Sequence, residues 1–349
     1  MSKRLLLCFL LACLVAADVS AESRRSNAPE FRVCTQNLNR AESRPPGARR
    51  GKSGGNEKVD ELIIRFREAR CDVIALQEVV GADKDTALQN LERIAERLNR
   101  ASGESYRAYV GDSHDNYIRN GFLVKLGAVE VTELKSHSLY RLPKLQPRAS
   151  SHHFSRGPLE LRLIVRGVDG APSREAAVIA VHFKSKARAW KDPTATEFEA
   201  MRMEMAEAVR ELANESRKEL PSTGLVVIAG DFNTRDDSAA MEVLSGAREL
   251  NDFRQPNKCA VSKSLGAECS STAGLHTSSI QPAFSYDSDL AGIRVGSYRY
   301  KKQLELIDNI LVFKDQLWML RRGGDFVGGA TGTFRKGSDH KLLWVEINW

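Results

Sequence analysis

Asp231 and Asn233 stand two residues apart at the end of a five-residue apolar run, Leu225-Val-Val-Ile-Ala, with Gly230 between the run and the acid. Residues two apart on an extended chain point the same way, so a carboxylate and a carboxamide project together from a strand end. A carboxylate there is costly unless a cation or hydrogen bonds compensate it. The same triplet is also an ordinary strand-ending turn, but it does not stand alone. Phe31–Asn39 ends in Asn37 and Asn39, Asp72–Glu78 is an apolar run ending in a carboxylate, and Leu304–Phe313 carries Asp308 inside an apolar run. Val181-His182-Phe183-Lys184 puts a histidine and a lysine at the end of another such run, and Ser338-Asp339-His340 precedes the last one.

Polar groups gathered at the ends of core strands are where open sheets and sandwiches build sites. If such a site hydrolyses a phosphodiester, as the family resemblance below implies, it needs a cation to offset charge on the reacting oxygens, a base to orient water, donors for the tetrahedral centre and an acid for the leaving oxygen. Hard oxygen ligands without thiolates suit Mg²⁺, with Mn²⁺ or Ca²⁺ as alternatives.

These groups need rigid supports. Short β-branched runs such as Leu225–Ala229 read as strands buried on both faces. Glu57–Arg70 and Thr86–Ala101 have helical apolar spacing, as does Thr194–Leu220, whose Met201, Met205, Ala208, Val209 and Leu212 stripe is core. Further strands are expected at Tyr106–Val110, from Gly121, and at Leu159–Val165, Ala176–Phe183 and Leu342–Ile347.

Asn37, Gln77-Glu78, Gly230-Asp231-Phe232-Asn233, Ile307-Asp308 and Ser338-Asp339-His340 occur in an order that resembles the endonuclease/exonuclease/phosphatase superfamily. This is the group of deoxyribonuclease I, apurinic endonucleases, neutral sphingomyelinases and inositol-polyphosphate phosphatases. The Val181–Lys186 tract looks most like secreted bacterial nucleases. The resemblance implies an α+β fold, a two-sheet β-sandwich flanked by helices on both faces, as in the deoxyribonuclease I-like four-layer α/β sandwich.

It also implies roles. His340 would be the base, oriented by Asp308, while Asp231 positions water or a second metal. Asn233 and Asn37 bind phosphoryl oxygens, and His182 contacts the phosphate or protonates the leaving oxygen. Glu78, Asn39 and Asp339 would hold the cation. Many relatives carry an acid at the position of Asn39, so this ligand field has less charge. Arg156, in an Arg-x-Pro element, and Lys184 would hold substrate phosphate, with Asn120 and Tyr117 beside them. Asn120 falls where deoxyribonuclease I has the carboxylate that supports the catalytic histidine, which leaves the partner of His182 open.

The chain has 349 residues and a net charge of +7, a moderately basic balance that suits a polyanionic partner or serves solubility alone. Met1–Ala21 has a short basic start, an apolar stretch too short to span a bilayer and a Val-Ser-Ala end, and reads as a cleaved export signal. A lipid anchor at Cys13 is the minor alternative. Residues 22–30 read as a disordered polar segment and 31–349 as one catalytic domain, monomeric and without stable membrane insertion. Export places the chain in an oxidising compartment. Cys259 and Cys269 share one polar loop and are expected to pair. Cys34 and Cys71, counted back from Asn37 and Glu78, are offset by about four residues, or ~13 Å, and are expected free and buried.

Several segments keep two readings. Arg40–Asn56, with five basic residues, is a solvated loop or a phosphate-tracking arm. His152-His153 is a metal site or, more commonly, a solvated loop. Asn251–Tyr300, with Tyr298-Arg-Tyr300, is a substrate-facing insertion that could stack bases or an ordinary strand edge. The combined expectation is an exported metal-dependent phosphodiester hydrolase, an endonuclease acting on DNA with low sequence preference. A sphingomyelinase-type lipid phosphodiesterase or small-molecule phosphatase is the alternative.

Overall fold

A computed structural model describes residues 30–42, 55–142, 153–167, 170–186, 196–235, 238–253, 259–262, 266–269, 280–282, 296–300, 303–320, 328–333 and 337–348. The export segment, most of the 22–30 segment, the basic loop from residue 43 to 54, His152 and most of 254–295 lie outside the described residues.

Two mixed sheets of six strands form the centre. The first contains β1 (Glu30–Asn37), β2 (Val73–Val80), β3 (Tyr106–Val110), β4 (Ile118–Lys125), β15 (Gly328–Thr331) and β16 (Leu342–Asn348), in the order β15-β16-β1-β2-β4-β3. The second contains β5 (Val129–Ser136), β6 (Leu159–Val165), β7 (Arg174–His182), β8 (Leu225–Asp231), β11 (Ile280–Pro282) and β14 (Asp308–Phe313), in the order β11-β14-β8-β7-β6-β5. Each sheet has one parallel pair, β1/β2 and β7/β8. A parallel pair needs a crossover, supplied by α1 (Gly55–Ala69) in the first sheet and α3 (Thr196–Glu219) in the second. α2 (Lys84–Ser102) and α4 (Ala239–Ser245) complete the outer layers. Two small hairpins stand apart from the sheets, β9 (Cys259–Ser262) with β10 (Gly266–Cys269) and β12 (Tyr298–Tyr300) with β13 (Gln303–Glu305).

Strand alternation builds the layers. Val33, Val73, Ala75, Val227 and Ala229 turn into the core between the sheets. Their neighbours Cys34, Ile74 and Leu76 turn outward against α1 and α2, while Val226 and Ile228 turn outward against α3 and α4. Central strands are therefore apolar on both faces, which is why they read as continuous runs rather than as alternating ones. The expected two-sheet sandwich with helices on both faces is the observed fold. β5 is not expected from sequence; it is an edge strand, and its exposed Glu130, Thr132 and Glu133 dilute its apolar signal.

One expectation is corrected. Cys34 and Cys71 form a disulfide, with a Cα–Cα distance of 5.9 Å. The four-residue offset would hold only if the chain before β2 continued as a strand. It does not, because α1 runs to Ala69 and Arg70 turns through a positive φ of 50°. Cys71 thus sits in a turn tucked under β1, with Asp72 N–H on the Arg32 carbonyl at 2.9 Å. Cys259 and Cys269 oppose each other in the β9/β10 register, but their side chains lie outside the described residues. No helix among the described residues is long and apolar enough to cross a membrane.

Candidate active site

The parallel and antiparallel registers bring the expected residues to one end of the sandwich. Asp231 is paired with His182 across β7/β8 and with Asp308 across β8/β14, so it lies between a histidine and a second acid. Gly230 makes this possible, because a Cβ there would collide with the Val181 carbonyl of the adjacent strand.

Asp231 and its neighbours Asn37, His182, Asn233, Asp308 and His340 are all buried. Asn37 donates its amide to Asp231 Oδ2 at 2.9 Å, crossing from the first sheet to the second. Asn233 N–H donates to Oδ1 at 2.8 Å. His182 Nε2 lies 3.6 Å and His340 Nε2 4.0 Å from Oδ2. His340 Nδ1 meets Asp308 Oδ2 at 2.7 Å, and the ring of Tyr298 lies 4.8 Å from that of His340. Ser297 Oγ accepts from the N–H of Ile307 and Asp308, at 3.1 and 3.0 Å, and so fixes the start of β14. Ser297 and Tyr298 were expected only as part of a substrate-facing or edge segment; their hold on Asp308 and His340 had no sequence signal beyond proximity to Ile307.

Electrostatics divide these groups. Burial pushes Asp231 up to about 7, and the negative Asp308 adds to the shift while His340 and Asn37 oppose it. Burial works against a charged His340, yet Asp308 and Asp231 overcome it and raise the ring to about 10. His182 goes the other way: burial, then repulsion from Arg156 and His340, holds it well below the ordinary histidine range, so it is neutral.

The rim carries the residues expected at the cation. Asn37 pairs with Gln77, and Leu38 N–H donates to the Gln77 carbonyl at 3.0 Å, which places Asn39 and Glu78 at neighbouring strand ends. Glu78 sits at a register break in the β2/β4 pairing with φ of 58°, and Arg40 approaches it at 3.5 Å. Such a bulge re-aims a side chain, and a glutamate in left-handed backbone is strained. Asn39, Arg40 and Asn233 share this conformation, with φ of 47°, 56° and 50°. Asp339 is part-exposed, its carboxylate 3.9 Å from His340 Nε2. Ser338 ties that segment to β1 through its hydroxyl on the Asn37 carbonyl at 2.7 Å. Asp231, Asp308 and His340 also present ligand atoms within 4.8 Å of one another. The oxygen donors fit a hard divalent cation. One further buried oxygen, Asp308 Oδ1, has no donor among the described residues.

The expected substrate contacts divide. Arg156 is buried below the site, donates to the Phe183 carbonyl at 2.7 Å and lies in the fields of Asp231 and Glu78. Asn120 is buried and donates to the Gly157 carbonyl at 2.8 Å; its Oδ1 and His182 Nδ1 both have no partner among the described residues. Asn233 turns its amide to the Phe183 carbonyl at 3.2 Å. Tyr117 is 48% exposed at the start of β4. Lys184 lies past the end of β7, where strand alternation no longer applies, and its ammonium stands over Phe198 of α3 at 4.6 Å.

A sequence model of the endonuclease/exonuclease/phosphatase family matches residues 34–340. The chain belongs to this family of hydrolytic, divalent-metal-dependent phosphoesterases. No curated protein matches the chain. Solved structures share the fold at low identity. ANGEL2, a 2',3'-cyclic phosphatase, is 14% identical over 92% of this chain and 95% of its own, with a TM-score of 0.55. D. rerio TDP2 complexed with single strand DNA product is 14% identical over 92% and 99%, with a TM-score of 0.51. The human Nocturnin catalytic domain with bound sulfate anion is 12% identical over 91% and 93%, with a TM-score of 0.50.

Proposed function

We propose that the protein is an exported, divalent-cation-dependent phosphodiesterase that cleaves nucleic acid, DNA with low sequence preference, through one catalytic domain spanning 31–349. The observation that carries this reading is the bonded chain Asp308–His340, set 4.0 Å from Asp231, which is itself held by Asn37. It joins both sheets at the strand ends, where open α/β sites are built.

In this reading Glu78, Asn39 and Asp339 hold a cation of the Mg²⁺ class, which when bound offsets charge on the phosphoryl oxygens. Asp308 fixes the tautomer and orientation of His340. His340 and Asp231 form the acid–base pair: one holds a proton toward the phosphate and the other takes the proton of the attacking water. The rise of Asp231 and the charged state of His340 favour the carboxylate as acceptor. Asn37 positions that carboxylate. Neutral His182, 3.6 Å from Asp231 Oδ2, and buried Arg156 would donate to phosphate oxygens in this reading. Lys184, whose ammonium lies over the Phe198 ring, would add positive charge near the end of β7.

The net charge of +7 supports a polyanionic substrate. The TDP2 neighbour bound to a single strand DNA product has the same fold. The buried Cys34–Cys71 disulfide supports export. The test is a substrate panel of supercoiled plasmid, single-stranded DNA, RNA, bis(4-nitrophenyl) phosphate and sphingomyelin vesicles at equal Mg²⁺. Preference for the DNA substrates supports the reading; turnover of the vesicles with inert DNA overturns it.

A further inference from the structure

Arg65 is among the most deeply buried large side chains of the protein, at 0% exposure, and it sits on α1, outside the residues that face the site. A guanidinium withdrawn from water is expensive unless its donors are used. Glu61, one turn earlier on the helix, is 3.8 Å away. Two of its hydrogen bonds, those of Arg65, go to the main chain of the segment that carries His340. Nη1 donates to the His340 carbonyl at 2.6 Å, and Nη2 to the Thr333 carbonyl at 2.7 Å.

The same Nη1 reaches Gln36 Oε1 at 3.2 Å, and Gln36 Nε2 lies 3.3 Å from the His340 carbonyl and 2.7 Å from that of Asn37. Gly332 leaves room for the guanidinium, since a Cβ there would collide with Arg65 Nε. The carbonyl of His340 is therefore held from one side by Arg65 and Gln36, while its N–H is held from the other by Ser338 Oγ at 3.1 Å.

We infer that Arg65 is a positioning residue for the reaction, its planar fork fixing the backbone of His340 so that the imidazole reaches Asp308 and the substrate together. The inference rests on the role proposed for His340. Only an arginine can serve carbonyls seven residues apart with two parallel donors from one rigid group. A lysine keeps the charge and supplies a single point donor. Displacement of a reacting group by about 1 Å can cost ~10²-fold in rate.

The experiment measures kcat and KM for bis(4-nitrophenyl) phosphate with Mg²⁺, beside thermal melting, in Arg65→Lys, Gly332→Ala and His340→Asn. The expected result for Arg65→Lys is kcat lowered about 10- to 100-fold with KM within about twofold and a folded protein at the assay temperature. Gly332→Ala puts a Cβ against Arg65 Nε and strains a backbone whose φ is 91°, so it disturbs the same anchorage from the other side and should lower kcat in the same way. Unchanged kcat in a folded Arg65→Lys or Gly332→Ala, or a loss matched by the unfolded fraction, overturns the positioning role. An ordinary kcat for His340→Asn overturns the role of His340 itself, whatever the other two variants show.

Discussion

Asp231 and Asp308 face each other across the antiparallel pairing of β8 and β14, and one histidine serves both: His340 is bonded to Asp308 at 2.7 Å through Nδ1 and stands 4.0 Å from Asp231 through Nε2. Two buried carboxylates at adjacent positions repel, and an imidazolium between them relieves the repulsion. The arrangement explains why His340 is raised to about 10 against the pull of burial. Replacing His340 with Asn should lower kcat by ~10²- to 10⁴-fold, with a smaller change in KM. Steady-state kinetics on a phosphodiester checks this, and a rate within a few-fold of wild type would remove His340 from the acid–base pair.

The Cys34–Cys71 bridge closes 37 residues of sequence between β1 and the turn before β2. A loop of this length gives a stabilisation of ~2–4 kcal/mol in the chain-entropy picture. Cys34→Ser with Cys71→Ser should lower Tm accordingly. Denaturant unfolding with and without reductant checks it: reductant should destabilise the wild type and leave the double variant unchanged.

Asp72 is buried beside β1, its Oδ2 accepting the Arg32 N–H at 2.8 Å. Burial raises its carboxyl to about 6, with Arg32 and Lys125 offsetting only part. Its folded pKa thus lies above the unfolded value of ~3.9. The stability it contributes is complete below that unfolded value and is lost as pH rises through about 6. Asp72→Asn keeps the acceptor and removes the charge. It should stabilise the fold by ~1–3 kcal/mol at pH 8 and leave it nearly unchanged at pH 4. Unfolding curves at both values decide the point, and an equal effect at both would contradict the electrostatic account.

The sandwich was legible because its central strands are short, β-branched and apolar on both faces, and because polar residues sit at their ends. Asp231, Asn233, Asp308, His182, Asn37 and His340 are all found by that rule. What the sequence hides is register and backbone hand. The Cys34–Cys71 bridge is hidden in the sequence because Arg70 turns through positive φ, which residue spacing does not reveal. Glu78 reads as the last residue of a strand, while its bulge and left-handed φ appear only in the fold. Arg65 lies among the apolar residues of an amphipathic helix, where a charged residue ordinarily marks the solvent edge; only the packing shows that it crosses to His340.

The central claim is that Glu78 and the cation it holds drive phosphodiester cleavage at the Asp231–His340 pair. Incubating residues 22–349 with supercoiled plasmid, with Mg²⁺ or with chelator, beside Glu78→Ala, tests it most directly. Nicking that requires both Mg²⁺ and Glu78 is the result expected. Nicking that persists in Glu78→Ala, or in chelator, would contradict the account.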